Sequence, residues 1–431
     1  MIEDLVPFLP EYLVKQRWFA GDVIDKVEIV SRECFKDGWP RLEWMLVEVD
    51  GALYQLVLGG RPLGEHAGFL QGHEEAVVGE AESGFWYDAT LDPELSLTFL
   101  TVVTDGEEKA ERVRPMGVEQ SNTSLVYDDR LICKLFRRVH PGANLDVEVT
   151  TALAASGFTH VAEPIATWRR DGNDLAFAQQ FLVGGAEGWA LALTSIRDLF
   201  ASGPDDPAEA GGDFGAEARR LGRMTAEMHL AMAEAFGTSV VDPAGWASTM
   251  RADLSTLSGD ERSGGDKLID KLARIPDAGS AIRVHGDYHL GQVMRTDAGW
   301  FVLDFEGEPA RSLDDRRQPS SPMKDVTGML RSFDYATRSV LAERDRAETE
   351  RVEPLAGAWN RHNRDAFLAG YLGTTGIDAL LPSDQGSAET LLAAFELDKA
   401  VYELRYELAY RPTWVDIPRS AIRRLTNEGN G

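Results

Sequence analysis

The sequence predicts an α+β protein in which strands come first and helices last. Three observations carry this. Between residues 24 and 60 three alternating or β-rich runs, IDKVEIVSREC, RLEWMLVEVD and ALYQLVLGG, are separated by the turn signals DGWP and DG. A second strand-rich block, 111–183, holds a single helical segment. From 188 onward apolar residues recur at helical spacing, in 215–236, 324–342, 364–372 and 388–410. The resulting division is a β-rich N-terminal cap domain (1–110), a β-rich lobe (111–185) and a mostly helical C-terminal lobe (186–431).

Each element has a local reason. The three early runs read as a small antiparallel sheet, and KQRWFAG (15–21) just before them reads as a packing element of the cap. TSLVYDD and RLICKLFRR (123–138) form a hairpin around Asp128, Asp129 and Arg130. NLDVEVTTALAASG (144–157) has acids near its start, apolar residues at helical spacing and a closing glycine, so it reads as a helix. HVAEPIATWRR and DLAFAQQFLVGG follow as strands around DGN. Two Gly/Asp-rich segments, 201–215 and 258–267, are expected to be mobile loops.

Composition narrows the function classes. The chain has 431 residues, 43% apolar and 27% charged, enough for more than one core. A net charge of −27 argues against sequence-independent binding to nucleic acid or anionic lipid. No apolar run is long enough for a membrane span, and the acidic N-terminus does not read as a signal peptide. With two cysteines, Cys34 and Cys133, each among apolar neighbours, buried thiols in a reducing cytoplasm are expected.

The chemistry concentrates in RVHGDYHLGQVMRTDAGWFVLDFEGEP (283–309). Phosphoryl transfer from ATP needs a carboxylate for the acceptor hydroxyl, oxygen ligands for Mg²⁺, and a lysine, itself held by a carboxylate, for the phosphates. Magnesium keeps several waters, so one or two protein oxygens suffice. Asp287 and Gln292 stand five apart, as the base and metal amide do in kinase-type catalytic loops. QVMRT and WFVLD flank the turn TDAG, so the hairpin returns Asp304, of Asp304-Phe305-Glu306, to the side of Gln292. Asp287 is thus the candidate base, and Gln292 and Asp304 the candidate metal ligands. His285 is read as holding the loop by hydrogen bonds.

Upstream, Lys134 sits inside the apolar strand LICKLF, where an ammonium is costly unless paired. Glu148, in the first turn of the next helix, is its expected partner. Ser121 and Ser124, in EQSNTS, lie where a phosphate-covering loop is expected. Gln180 and Leu182, in FAQQFLVGG, lie where a hinge would contact adenine. For the acceptor, His289 lies two residues past the base. The C-terminal helix offers Tyr402, Arg405 and Tyr406 on roughly one face, with Glu407, Arg411 and Trp414 beyond them.

HGDYHLGQ with LDFEGEP, the stretch RSLDDRRQPSSPMKDVTGMLRSFDYA, the early LPEYLVKQRWFAG and the late KAVYELRYELAYRPTW together resemble the actinobacterial maltokinases. These belong to the aminoglycoside-phosphotransferase-like branch of the protein-kinase-like fold. The resemblance runs from about residue 8 to 420. It implies a bilobal kinase fold with an N-terminal cap, and ATP- and Mg²⁺-dependent conversion of maltose to maltose 1-phosphate for α-glucan synthesis. It also implies association with trehalose synthase as a separate protein. Glu306 stands where the related motif has glycine, adding a carboxylate near the metal. Two alternatives stand beside this reading: the same chemistry on glucosamine or an aminoglycoside-type acceptor, and a nucleotide-binding pseudokinase scaffold.

Overall fold

The computed structural model describes residues 2–65, 67–116, 122–202, 206–240, 242–308 and 311–428. The chain divides into two compact units, Met1–Thr151 with Ala162–Val183, and Ala152–Val161 with Gly184–Gly431.

The first unit carries two sheets. Its elements are α1 (Leu9–Val14), β1 (Val27–Lys36), β2 (Arg41–Val49), β3 (Ala52–Arg61), β4 (Val77–Ala81), β5 (Gly84–Asp88), α2 (Pro93–Val103), β6 (Val113–Pro115), β7 (Asn122–Tyr127), β8 (Leu131–Phe136) and β9 (Arg138–Val139). After them come α3 (Leu145–Ala155), inside which the unit boundary falls, β10 (Pro164–Arg170) and β11 (Asn173–Gln180). One sheet runs β1-β2-β3-β5-β4, with β9 on β3; the other runs β10-β11-β8-β7-β6. Among the described residues the pairings in both sheets are antiparallel.

One apolar core serves both sheets and α2. Trp168 takes edge contacts from Phe35, Trp44 and Phe99 at centroid distances of 5.7, 5.5 and 5.6 Å. Burying a tryptophan removes ~200 Å² from water, on the order of 5 kcal/mol. Gln55, fully buried, ties the sheets together: it accepts from Trp44 Nε1 and donates to the carbonyls of Phe136 and Leu175. The QRWF segment does pack as expected. Trp18 is buried, and the guanidinium of Arg137, itself 1% exposed, lies 5.1 Å from its ring and donates to Asp88 at 2.6 Å. Of the two thiols only Cys133 is buried. Cys34 is exposed, because β1 is an edge strand with one face in solvent.

The second unit is helical, with short strands at its site. In order it contains β12 (Ala186–Glu187), α4 (Gly188–Ser202), α5 (Gly215–Phe236), β13 (Thr238–Val240), α6 (Pro243–Asp253), α7 (Gly259–Leu272) and β14 (Ser280–Ile282). β15 (Val293–Thr296), β16 (Gly299–Val302), α8 (Leu313–Arg317), α9 (Met323–Ala342), α10 (Arg346–Leu372), α11 (Gln385–Tyr410) and α12 (Asp416–Glu428) complete it. The segment 258–267, expected as a loop, is instead most of α7. Its glycines serve packing rather than mobility: a Cβ on Gly264 would lie 2.6 Å from Thr426 of α12, so only glycine lets the two helices approach. α10 begins at Arg346, well before the expected 364. Among the described residues no helix is long and apolar enough to cross a membrane.

Candidate active site

The loop that carries Asp287 is held by α9 and by the segment leading to Asp304. Asp325, on α9 and 1% exposed, accepts the backbone N–H groups of His285 at 2.7 Å and Gly286 at 2.8 Å, and lies 3.2 Å from His229 Nε2. Those contacts, with the neighbouring histidines, hold its carboxyl below the usual range despite full burial, which acts the other way. His285 accepts the Asp287 N–H on Nδ1 at 3.4 Å, and its Nε2 lies 3.0 Å from the Leu303 carbonyl. That histidine therefore ties the base to the strand before Asp304. On α9, Gly328 permits the closest approach: a Cβ there would sit 2.4 Å from the Tyr288 carbonyl oxygen.

β15 and β16 pair in the register Val293↔Val302 to Thr296↔Gly299, and Leu303 N–H donates to the Gln292 carbonyl at 2.9 Å. The hairpin thereby brings Gln292 and Asp304 together, with Gln292 Nε2 3.3 Å from Asp304 Oδ2. Asp304 Oδ1 is buried with no hydrogen-bond partner among the described residues, and the residue sits at φ 60. A buried, unsatisfied carboxylate oxygen beside a side-chain amide suits a hard divalent cation. Among the described residues no group of three or more His, Cys, Asp or Glu could cage a metal alone. One carboxylate and one amide, completed by water and phosphate, are what magnesium needs. Arg316 steadies the following turn by donating to the carbonyls of Glu306 and Arg311.

Lys399, on α11, was not singled out by sequence, yet it contacts Asp287. Its ammonium is 3.3 Å from Asp287 Oδ1, 3.5 Å from Glu308 Oε1 and 4.8 Å from the Tyr402 ring. Burial pushes the Asp287 carboxyl up, but Lys399, His289 and His285 outweigh it and hold it below the ordinary aspartate value. Burial likewise disfavours the charged lysine, and Asp287 and Glu308 reverse that, raising its pKa. The sequence offered little signal for it: in FELDKAVYE the lysine follows Asp398 and reads as one more charge on a mixed helix. Burial lowers the His289 pKa, and its Nε2 is 3.9 Å from Asp287 Oδ2.

Beside these residues lies a cavity of about 420 Å³ walled by five aromatic side chains, Trp189, Tyr335, Tyr402, Tyr406 and Trp414. His289, Lys399, Glu403, Glu407 and Arg411 supply much of its polar lining. Tyr402, Tyr406 and His289 thus share one cavity. Arg405 does not: its guanidinium pairs with Asp253 at the end of α6, 2.8 Å away. Arg405 and Tyr406 stand about 100° apart around the helix, which their spacing of three and four from Tyr402 conceals. Trp189, Tyr335 and Glu403 were also not singled out by sequence. A smaller cavity of about 20 Å³ is bordered by Glu308, Arg311, Lys324 and Asp398, where burial pushes the Asp398 carboxyl up to about 6.

In the first unit, Lys134 Nζ donates to Asp146 of α3 at 2.9 Å; the expected Glu148 lies two residues further on. Both acids lie in the first turn of that helix. Ser124 stands opposite Lys134 on β7, its hydroxyl buried and unpartnered among the described residues. Ser121 lies outside the described residues. Gln180 closes β11, its N–H taken by the Glu163 carbonyl, and Phe181 N–H donates to the Arg130 carbonyl. Leu182 follows the last of these bonds.

A loop aspartate, an amide–carboxylate pair and, within the first unit, a lysine–carboxylate pair are the residue types that phosphoryl transfer uses. The chain belongs to the phosphotransferase enzyme family, whose model matches residues 112–357, more than half of the sequence. Residues 12–92 match the maltokinase N-terminal cap domain, so the resemblance seen in the sequence holds in both parts. A glucosamine kinase from Streptacidiphilus jiangxiensis is 30% identical over 346 residues, 73% of this chain and 74% of that protein. One from Mycolicibacterium smegmatis is 24% identical over 352 residues, 76% and 83% respectively. The solved structure "Glucosamine kinase in complex with glucosamine, ADP and inorganic phosphate" aligns with a TM-score of 0.70 at 21% identity, covering 96% of this chain and 98% of that one. The fold is the kinase-like phosphotransferase fold with a cap domain and a helical C-terminal region, 51% helix and 21% strand.

Proposed function

We propose that the chain is an ATP-dependent kinase acting on an amino sugar of the glucosamine type. The observation that carries this is the cavity beside the base: aromatic faces for a sugar ring, together with glutamates suited to a cationic substituent. The relatives named glucosamine kinase support the same acceptor. Asp287 orients the acceptor hydroxyl and receives its proton as the new O–P bond forms and the bond from the γ-phosphorus to the bridging oxygen breaks. Lys134, fixed by Asp146, is assigned to the nucleotide phosphates, with Ser124, Gln180 and Leu182 as further nucleotide contacts. Gln292 and Asp304 would hold Mg²⁺, which supplies charge neutralisation on the phosphates. Positioning and electrostatics provide most of the rate.

Maltose is the second reading, favoured by the cap-domain match and by the five aromatic walls. ADP release with Mg²⁺-ATP over glucosamine, glucose, N-acetylglucosamine and maltose separates the two. Glucosamine turnover above that of the Asp287→Asn variant is expected. Turnover of maltose alone would replace the first reading by the second. Nucleotide binding without turnover of any sugar would remove both in favour of a pseudokinase.

A further inference from the structure

We propose that His229 is a positioning residue for phosphoryl transfer: it fixes the Asp325 carboxylate, which in turn sets the backbone directly before Asp287. The proposal rests on the reading of Asp287 as the base. Asp325 spreads its oxygens over two consecutive amides. Oδ2 accepts the His285 N–H at 2.7 Å, and Oδ1 accepts the Gly286 N–H at 2.8 Å. Both bonds hold only while the carboxylate plane keeps one angle; rotation about the Cβ–Cγ bond gives up one of them. His229, from α5, makes the third bond, with Nε2 3.2 Å from Oδ2. Gly286 takes a left-handed φ of 87°, and the next residue is Asp287. The angle of the carboxylate is thereby passed to the base through two peptide units.

The histidine is itself locked from its other side. Its Nδ1 lies 2.9 Å from the hydroxyl of Tyr371 on α10, and the two rings meet edge to face with centroids 5.6 Å apart. Burial, with the Asp325 charge nearby, pushes the Tyr371 pKa up, so the hydroxyl keeps its proton. That O–H has no other partner among the described residues, so it donates to Nδ1. The ring then carries its own proton on Nε2, facing Asp325. His229 and Tyr371 are fully buried and Asp325 is 1% exposed. The three are shut off from solvent, and they reach the chemistry through the loop. α5 and α10 meet at Gly222 and Gly370, where a Cβ on either would run into the backbone of the other helix. An apolar side chain would fill the place of His229 without the cost of burying two ring nitrogens. What it would not supply is the donor to Oδ2.

The test compares three variants. His229→Gln keeps an N–H long enough to reach Asp325, His229→Asn carries an amide too short to reach it, and His229→Leu has no donor. Each is read in two ways: kinetics per folded enzyme with a sugar that wild type turns over, and backbone hydrogen exchange of a peptide spanning 283–290. Asn and Leu are expected to lower kcat about 10–100-fold, with KM for ATP and for the sugar within about threefold. They are also expected to speed exchange at His285 and Gly286 at least about tenfold, while Gln recovers most of both losses. Tyr371→Phe, which frees the tautomer, is expected to lower kcat about two- to fivefold. Should Leu fail to fold, Gln against Asn decides alone. Gln falling as far as Asn, or Asn and Leu keeping wild-type kcat and slow exchange, overturns the role of His229. Faster exchange spread evenly over the second unit also overturns it, being the mark of general packing loss. Exchange is read without turnover. A wild type that phosphorylates no sugar therefore overturns the reading of Asp287, and the proposal with it, whatever the exchange shows.

Discussion

The two halves of the site in the second unit are built in opposite ways. The half proposed for catalysis is local: Asp287, Gln292 and Asp304 come from one loop and one hairpin, and the register of β15 with β16 returns the third residue to the second. The acceptor half is dispersed, drawing on residues 187–189, 289, 328–335 and 399–414. The contrast teaches where chemistry and selectivity are written. Groups that must hold one geometry sit at fixed spacing on a short segment. Groups that choose the acceptor stand on separate helices, where a single side chain can change without disturbing the hairpin.

Substitutions can break or sharpen this contrast. The largest effect is expected at the base: Asp287→Asn should lower kcat by about 10²–10⁴-fold with the fold intact, checked by single-turnover kinetics and circular dichroism. Asp304→Asn should weaken the apparent magnesium affinity by at least about 10–100-fold, read from the rate as a function of free Mg²⁺. Lys399→Met lies on the seam between the halves. Lys399 holds the Asp287 carboxyl low, so its removal raises that pKa, and the base becomes protonated at higher pH. The acid limb of the kcat/KM profile should therefore move toward neutral pH, and an unmoved limb would show that Lys399 does not act on the base. Tyr406→Ala should raise KM for the sugar about two- to tenfold with little change in kcat. Arg405→Ala, whose partner is Asp253 outside the cavity, should stay within about twofold of wild type in the same assay.

The same contrast explains what could be read in advance. The hairpin donors were legible because a two-residue turn and a known spacing leave one solution. The strand runs of the first unit were legible from alternation and turn residues. For Lys134 the sequence pointed to Glu148 and a hydrogen bond goes to Asp146, because acids two apart in a first helical turn differ only in direction, which the strand opposite decides. Arg405 was grouped with Tyr406 for a similar reason. Lys399 and Glu403 gained meaning only from α9 and the catalytic loop, distant in sequence. α7 was hidden because Gly264 and Gly265 lower helix propensity locally, while their value lies in contacts with Thr426 and with Leu254 and Leu397.

Asp304 occupies a left-handed backbone conformation that few side chains tolerate. Alanine there would add conformational strain to the loss of a ligand, whereas asparagine or glycine would remove the charge at little backbone cost. An inactive descendant of this chain, intact in shape and silent in chemistry, is therefore one substitution away, and those two residues are where to look for it among its kin.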